Sequence, residues 1–164
     1  MRTSSGNAGV WRIQGPGGHG KTNVMRAFIS KAASMGKRVT VCATTGKAAK
    51  FLGMGAMTAH FAFGFRGSQW IPLTNRYMLM FLAMADVICL HEISMAKAAF
   101  LQQLHQRCLD ACPNLPTNLP FAGKLILLGG DKHQLAAVCD HKCDEDAYTS
   151  HIGGPCGTCF KKFI

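Results

Sequence analysis

Short apolar runs alternate along this chain with segments whose apolar residues recur at helical spacing. Val10–Gln14, rich in β-branched and aromatic residues, predicts a strand, and apolar positions from Val24 to Ala33, closed by Gly36, predict a helix. The same reading places strands at 37–43, from 85 onward and at 124–128, and helices at 48–52 and 96–112. Alternating strands and helices predict an α/β fold, a mostly parallel sheet flanked by helices.

The stretch 53–66 is ambiguous. Phe61, Phe63 and Phe65 alternate with other residues, which is compatible with the buried face of a strand or with rings that stack on bases; core packing is the commoner fate. Residues 67–77 show no period and predict a loop. The apolar run from 78 to 90 is shorter than the ~20 residues that span a bilayer, so we interpret it as a buried helix followed by a strand.

A glycine-rich loop lies between the first strand and the first helix. It fits the phosphate-loop pattern G-x-x-x-x-G-K-[ST] with Gly15, Pro16, Gly17, Gly18, His19, Gly20, Lys21 and Thr22. In such loops backbone amides surround phosphates, the lysine reaches the outer phosphates and the hydroxyl binds Mg²⁺. The helix N-terminus that follows adds aligned amides and partial positive charge. The loop therefore predicts a nucleotide site.

Polar residues follow the other predicted strands as well. Thr44 and Thr45 follow the second strand, Glu92 the third and Asp131 to Gln134 the fourth. The carboxyl ends of parallel strands meet at one edge, where open α/β sheets bind ligands. For Thr44, Thr45 and Lys47, an ordinary helix cap with a solvated lysine is at least as good a local interpretation.

His91 departs from the usual nucleotide-site chemistry. In phosphate-loop NTPases this strand delivers an aspartate that helps to hold Mg²⁺, often followed by a glutamate that orients or deprotonates the attacking water. Glu92 supplies the glutamate, but His91 stands where the aspartate is expected. Because Mg²⁺ prefers oxygen ligands, the sequence predicts that nucleotide binding is retained and hydrolysis is impaired.

Length and composition limit the number of domains, the kind of partner and the cellular compartment that we expect. The length of 164 residues suits one globular domain, and 18 Lys+Arg against 8 Asp+Glu give a net charge of +10. That charge favours a polyanionic partner such as nucleic acid, and is equally compatible with a solvated basic surface. The first residues lack the apolar core of a secretion signal, so we expect an intracellular protein with reduced cysteines.

The C-terminal segment carries four of the cysteines. Cys139, Cys143, Cys156 and Cys159, with His141 or His151 as alternates, are compatible with a zinc site. Their spacing is irregular for known zinc sites. We therefore expect residues 1–138 to form the domain and residues 139–164 to form a poorly ordered tail that follows it.

Five motifs in order carry a family resemblance: the loop 15–22, the segment 43–49, Thr58-Ala59-His60, the segment 90–95 and the segment 128–135. Together they resemble the first motor domain of the Pif-type (petite integration frequency) DNA helicases of superfamily one B, which include helicases of Helitron transposons. The resemblance covers residues 10 to 138.

The resemblance implies a RecA-like fold that couples ATP hydrolysis to 5′-to-3′ movement on single-stranded DNA, with roles in DNA repair, recombination and telomere maintenance. It implies that Lys21 binds the β- and γ-phosphates, that Thr22 ligates Mg²⁺, and that Glu92 is the catalytic base. Gln134 would sense the γ-phosphate. The residues expected toward the DNA strand are Thr44, Thr45, Gly46, Thr58 and His60.

The family pattern also includes features that this sequence does not show. A second RecA-like domain, which supplies an arginine finger, is expected from outside this chain, and no adenine-recognition segment is evident before Gly15. In a eukaryote we expect the nucleus or mitochondrion as its location. The alternative function is a degenerate module that binds nucleotide or single-stranded DNA without turnover, an interpretation that His91 favours.

Overall fold

A computed structural model describes residues 9–65, 71–96 and 98–131. The strands are β1 (Gly9–Gln14), β2 (Val39–Ala43), β3 (Met57–Thr58), β4 (Val87–His91) and β5 (Leu125–Gly130). The helices are α1 (Lys21–Ser34), α2 (Gly46–Leu52), α3 (Ala59–Phe63), α4 (Arg76–Met84) and α5 (Ala98–Ala111). Short 3₁₀ turns lie at Ile93–Met95 and Pro120–Gly123.

All five strands form one parallel sheet in the order β1-β5-β4-β2-β3. The central strands β4 and β5 are apolar at successive positions because helices cover both faces of the sheet. Within the part of the chain that the structure describes, no helix has the length and apolar character needed to cross a membrane. The predicted α/β class, a parallel sheet flanked by helices, is confirmed.

Alternate residues of each strand enter two different cores. On one face, Val87 and Cys89 pack with Met25 and Ile29 of α1 and with Leu52 of α2. On the other face, the side chains of β4 and β5 pack with α3, α4 and α5; these residues are Ile88, Leu90, Ile126, Leu128, Phe63, Leu82 and Leu104. The sheet is therefore the middle layer of a three-layer domain.

The segment with alternating phenylalanines forms a short helix instead of a strand. Thr58 caps α3, which ends at Gly64 with φ of 64°, and Phe63 and Phe65 are buried while Phe61 is 72% exposed. Helical geometry turns Phe61 outward, so the strand interpretation was wrong. The predicted loop 67–77 was also too long, since Asn75 caps α4 and the helix begins at Arg76.

The cysteines of the described core behave as small apolar residues. Cys42 and Cys89 lie in strands and Cys108 in a helix, as predicted, and all three are buried free thiols. Burial raises the pKa of each to about 12. These thiols are therefore chemically inert at neutral pH.

Candidate functional site

The loop between β1 and α1 has the conformation of an open anion cradle. Gly18 and Gly20 have φ of 75° and 79°, in the left-handed region that glycine adopts without cost. Gly20 is the N-cap of α1, and none of the described side chains caps that terminus. The first amides of α1 therefore remain available to an anion.

Lys21 folds back over this loop. Its Nζ donates to the carbonyl oxygens of Gly15 at 2.6 Å and Pro16 at 2.8 Å. The ammonium charge is thus held at the mouth of the loop, beside the amides of α1. Phosphate oxygens that enter the loop can replace these carbonyls as acceptors, which is the exchange expected of a phosphate-loop lysine.

His91 reaches the same loop from the centre of the sheet. It is the last residue of β4, paired with Ala43 of β2 and Gly129 of β5, and it is only 4% exposed. Its Nε2 lies 3.1 Å from Oγ1 of Thr22. The structure therefore brings the Thr22 hydroxyl and this imidazole together, at the edge that the sequence predicted.

The surroundings of His91 favour the neutral form of its ring by lowering its pKa. Burial lowers its pKa, nearby Glu92 acts in the opposite direction, and the charges of Lys21 and Arg26 lower it further. The other ring nitrogen, Nδ1, lies 3.9 Å from Oε1 of Glu92 and has no hydrogen-bond partner among the described residues. A neutral ring offers one lone pair and one N–H at this position.

Glu92 has an unusual backbone. Its φ of 59° and ψ of 41° are left-handed, a conformation that costs a non-glycine residue about 1–3 kcal/mol and that clusters at functional sites. Thr44 supports this backbone conformation, because the Thr44 Oγ1 donates a hydrogen bond to the Glu92 carbonyl oxygen at 2.9 Å. The Thr44 N–H donates to the carbonyl oxygen of His91 at 3.2 Å. Sequence reasoning placed Thr44 toward DNA and missed this contact, because no local pattern signals it.

The residues predicted to face DNA lie beside this cluster, and some have structural partners. Thr45 caps α2 by accepting from the Ala48 N–H at 3.2 Å, which agrees with the helix-cap interpretation. Thr58 caps α3. Gly46 lies close to Thr58, since a Cβ on Gly46 would lie 4.0 Å from the Thr58 methyl carbon. His60 is exposed one residue into α3.

An apolar groove of about 640 Å³ borders α3 and α4. Phe61 is exposed at its rim, and Tyr77 is 80% exposed on α4. The groove is also lined by Met57, His60, Ala62, Gly64, Phe65, Asn75, Met78 and Phe81. The sequence did not predict it, because the helical turn that exposes Phe61 depends on how α3 packs.

Some predicted site residues lie outside the described residues. These are Gln134 and the tail residues Cys139, Cys143, Cys156 and Cys159, with His141 and His151. Within 9–65, 71–96 and 98–131, no three His, Cys, Asp or Glu side chains form a group that could hold a metal ion by themselves. Asp131, at the end of β5, is 3% exposed.

The PIF1-like helicase family model matches residues 2–153. The chain belongs to the PIF1-like helicase family. Two relatives of this PIF1-like chain are ATP-dependent DNA helicases of Trypanosoma brucei brucei: PIF3, 31% identical over 144 residues, and PIF4, 32% identical over 143 residues. Those matches cover 88% and 82% of this chain but 16% and 17% of the relatives, so the chain spans about a sixth of their length.

Solved PIF1-like structures share the fold. The Pif1 helicase from Candida albicans matches with a TM-score of 0.74 and 25% identity, over 94% of this chain and 34% of that one. The Pif1 helicase from Bacteroides in complex with ADP-AlF3 and ssDNA matches with a TM-score of 0.69 and 25% identity, over 92% and 34%. The resemblance seen in the motifs is confirmed, and with it the RecA-like fold.

Proposed function

We propose that this chain is the nucleotide-binding motor domain of an ATP-dependent DNA helicase. The observation that carries the proposal is the convergence of Lys21, Thr22, His91 and Glu92 at one edge of the sheet, where Thr44 donates hydrogen bonds to the carbonyl oxygens of His91 and Glu92. The relatives are ATP-dependent DNA helicases, and a solved neighbour holds ADP-AlF3 and single-stranded DNA, which supports ATP and single-stranded DNA as the ligands here.

In this proposal the phosphates of ATP lie in the loop 15–20 and against the amides of α1. Lys21 exchanges its contacts with Gly15 and Pro16 for phosphate oxygens. Glu92 acts as the base toward water, and Gln134 senses the γ-phosphate. Single-stranded DNA passes beside Thr45, Gly46, Thr58 and His60.

The donor set is a poor match for Mg²⁺. Thr22 supplies a hydroxyl oxygen, but the group 3.1 Å from it is the imidazole of His91, where the related NTPases place a carboxylate. Mg²⁺ is a hard cation that prefers oxygen ligands. We infer that Mg²⁺ is held weakly and that turnover with Mg²⁺ is slow, while the loop still binds nucleotide.

A second candidate function follows from the same residue. His91 favours a module that binds nucleotide or single-stranded DNA without turnover. Family membership favours the motor domain, whose full cycle would also need the second RecA-like domain and its arginine finger. DNA-stimulated ATP hydrolysis separates the two candidates: stimulation supports the motor domain, and nucleotide binding without any hydrolysis supports the binding module.

The test compares the full chain with Lys21→Ala and His91→Asp. A fluorescent ATP analogue should bind the wild-type chain and bind Lys21→Ala at least about tenfold more weakly, the effect of losing roughly 1.4 kcal/mol. His91→Asp should hydrolyse ATP faster than wild type in Mg²⁺, because it restores an oxygen ligand. Equal turnover in wild type and His91→Asp would refute the inferred role of His91, and equal binding by Lys21→Ala would refute the nucleotide site.

A further inference from the structure

Thr22 Oγ1 and His91 Nε2 are positioned to act as two of the ligands of one metal ion. The two atoms lie 3.1 Å apart at the base of the phosphate loop. His91 is 4% exposed, and its backbone is paired with strands on both sides. A divalent ion bound to nucleotide phosphates at Thr22 would therefore meet this nitrogen.

The separation of the pair agrees with two adjacent ligands of one octahedral ion. With bonds of about 2.1 Å at right angles, two ligand atoms lie about 3.0 Å apart. The observed 3.1 Å is a hydrogen-bond distance in this structure, and it is also a separation that two ligands of a small octahedral ion adopt.

The ligand types then discriminate among small ions. Imidazole binds Mg²⁺ poorly, whereas it suits Fe²⁺, Ni²⁺, Cu²⁺ and Zn²⁺; the affinity of a nitrogen ligand is weakest for Mn²⁺ and rises from there along the first-row series. Carboxylate is the usual partner of the second ring nitrogen in metal-binding histidines. Here Nδ1 of His91 is buried, lacks a hydrogen bond among the described residues and lies 3.9 Å from Oε1 of Glu92.

We propose that the nucleotide site of this chain selects a first-row transition ion, with Mn²⁺ as the probe, over Mg²⁺. This inference rests on the proposed nucleotide binding, because the phosphates must supply the remaining oxygen ligands. Among the described residues no group of three His, Cys, Asp or Glu side chains could hold the ion, so free Mn²⁺ binds weakly at Thr22 and His91 and nucleotide strengthens its binding. Replacing His91 by aspartate returns the preference to Mg²⁺.

The first experiment measures the affinity of a non-hydrolysable fluorescent ATP analogue for the full chain in Mg²⁺, in Mn²⁺ and in EDTA. Wild type should bind it about 10-fold more tightly in Mn²⁺ than in Mg²⁺, and His91→Asp should lose most of that ratio. Because the nucleotide itself has some preference between the ions, the change in ratio between the two proteins is the decisive quantity. Equal ratios in both proteins overturn the inference.

The second experiment detects the ligand directly. Electron spin echo spectra of the Mn²⁺–nucleotide complex should show ¹⁴N modulation from a bound imidazole in wild type and none in His91→Asp. Modulation that survives His91→Asp overturns the inference.

Failure of the proposed function gives a different result from failure of this inference. If the analogue binds in none of the three conditions, the nucleotide site is refuted and the ion preference falls with it. If the analogue binds, but the ratio of its affinities in Mn²⁺ and Mg²⁺ is the same in wild type and in His91→Asp, nucleotide binding stands and only the ion preference is refuted.

Discussion

At the scale of single residues, His91 and Thr44 determine the chemistry of the nucleotide edge. His91 places a buried imidazole 3.1 Å from the Thr22 hydroxyl, where related NTPases have a carboxylate. Thr44 holds the strained backbone of Glu92 through its carbonyl oxygen. The residue predicted to act as base is therefore positioned by a residue predicted to face DNA, so a DNA contact at Thr44 would reach Glu92 directly.

The Thr44 contact gives the first prediction. Thr44→Val removes the hydroxyl that donates to Glu92 and leaves that carbonyl with one partner fewer, so unfolding in urea should require about 1 kcal/mol less. Thr44→Ser keeps the hydroxyl and is the matched control. If valine and serine variants unfold at the same urea concentration as wild type, the bond does not stabilise Glu92.

Acid should destabilise the fold through the half-buried His105 and the buried His91. Nδ1 of His105 accepts the Phe121 N–H at 2.9 Å, and burial lowers the pKa of His105; burial also lowers that of His91. A lowered folded-state pKa means that the unfolded chain binds protons first, so stability is full above about pH 6.5 and falls as pH drops through the folded-state values.

Urea unfolding at a series of pH values measures this effect. The free energy of unfolding should decrease on going from about pH 7.5 to about pH 5, and the decrease should be smaller in His105→Gln, which cannot take up the proton. A wild-type stability that is constant or rises over this interval contradicts the assignment.

At the scale of elements, the phosphate loop depends on backbone conformation more than on space. Gly20 ends the loop and caps α1 with φ of 79°, and a Cβ there would meet nothing within 4 Å. Gly18 likewise has a positive φ, of 75°, and a Cβ there would meet nothing within 4 Å. Glycine lets the chain turn sharply enough for the first amides of α1 to face the site.

Gly20→Ala tests that argument. A left-handed alanine costs about 1–2 kcal/mol, so the variant should unfold at lower urea and bind the ATP analogue more weakly as the loop relaxes. Gly15→Ala is the control for stability, because its Cβ would make only an ordinary contact of 3.8 Å with Cγ of Lys21. Equal destabilisation by the two variants would show that side-chain space, not φ, constrains the loop.

At the scale of the whole molecule, the exposed Phe61 and the groove of about 640 Å³ lie on the β3 side of the proposed nucleotide site. β3 is the edge strand next to β2, and β2 pairs with β4, which carries His91. The net charge of +10 is compatible with a nucleic acid partner. Base stacking on Phe61 would add an affinity that salt does not screen.

Phe61→Ala should therefore weaken binding of a single-stranded oligonucleotide by about tenfold, within the 1–3 kcal/mol range of one stacked base, at every salt concentration. The slope of log affinity against log salt should stay the same, because no phosphate contact is lost. Trp11→Ala is the control: Trp11 is 65% exposed on β1, at the far end of the sheet, and its loss should leave affinity unchanged. Equal effects of the two variants would exclude Phe61 as a stacking platform.

Much of the fold could be predicted because its signals are local. Strands β1, β2, β4 and β5, the phosphate loop and helices α1 and α5 each have their own pattern of apolar residues, glycines and caps. The gathering of Lys21, Thr22, His91 and Glu92 at one edge followed as well, since parallel strands end on the same side. Where two patterns competed, as in 57–65, the choice of helix over strand needed the packing of Phe63 and Phe65 into the core.

The sequence by itself determined the family and the order of the strands and helices along the chain, and it predicted the residues of the proposed nucleotide site, because each is encoded in a short continuous segment. Only the tertiary structure decided the strand order in the sheet, the contact of Thr44 with Glu92, the exposure of Phe61 and the 3.1 Å approach of His91 to Thr22. Those features join residues as far as 69 positions apart, and their distances depend on how the layers pack, which no local pattern contains.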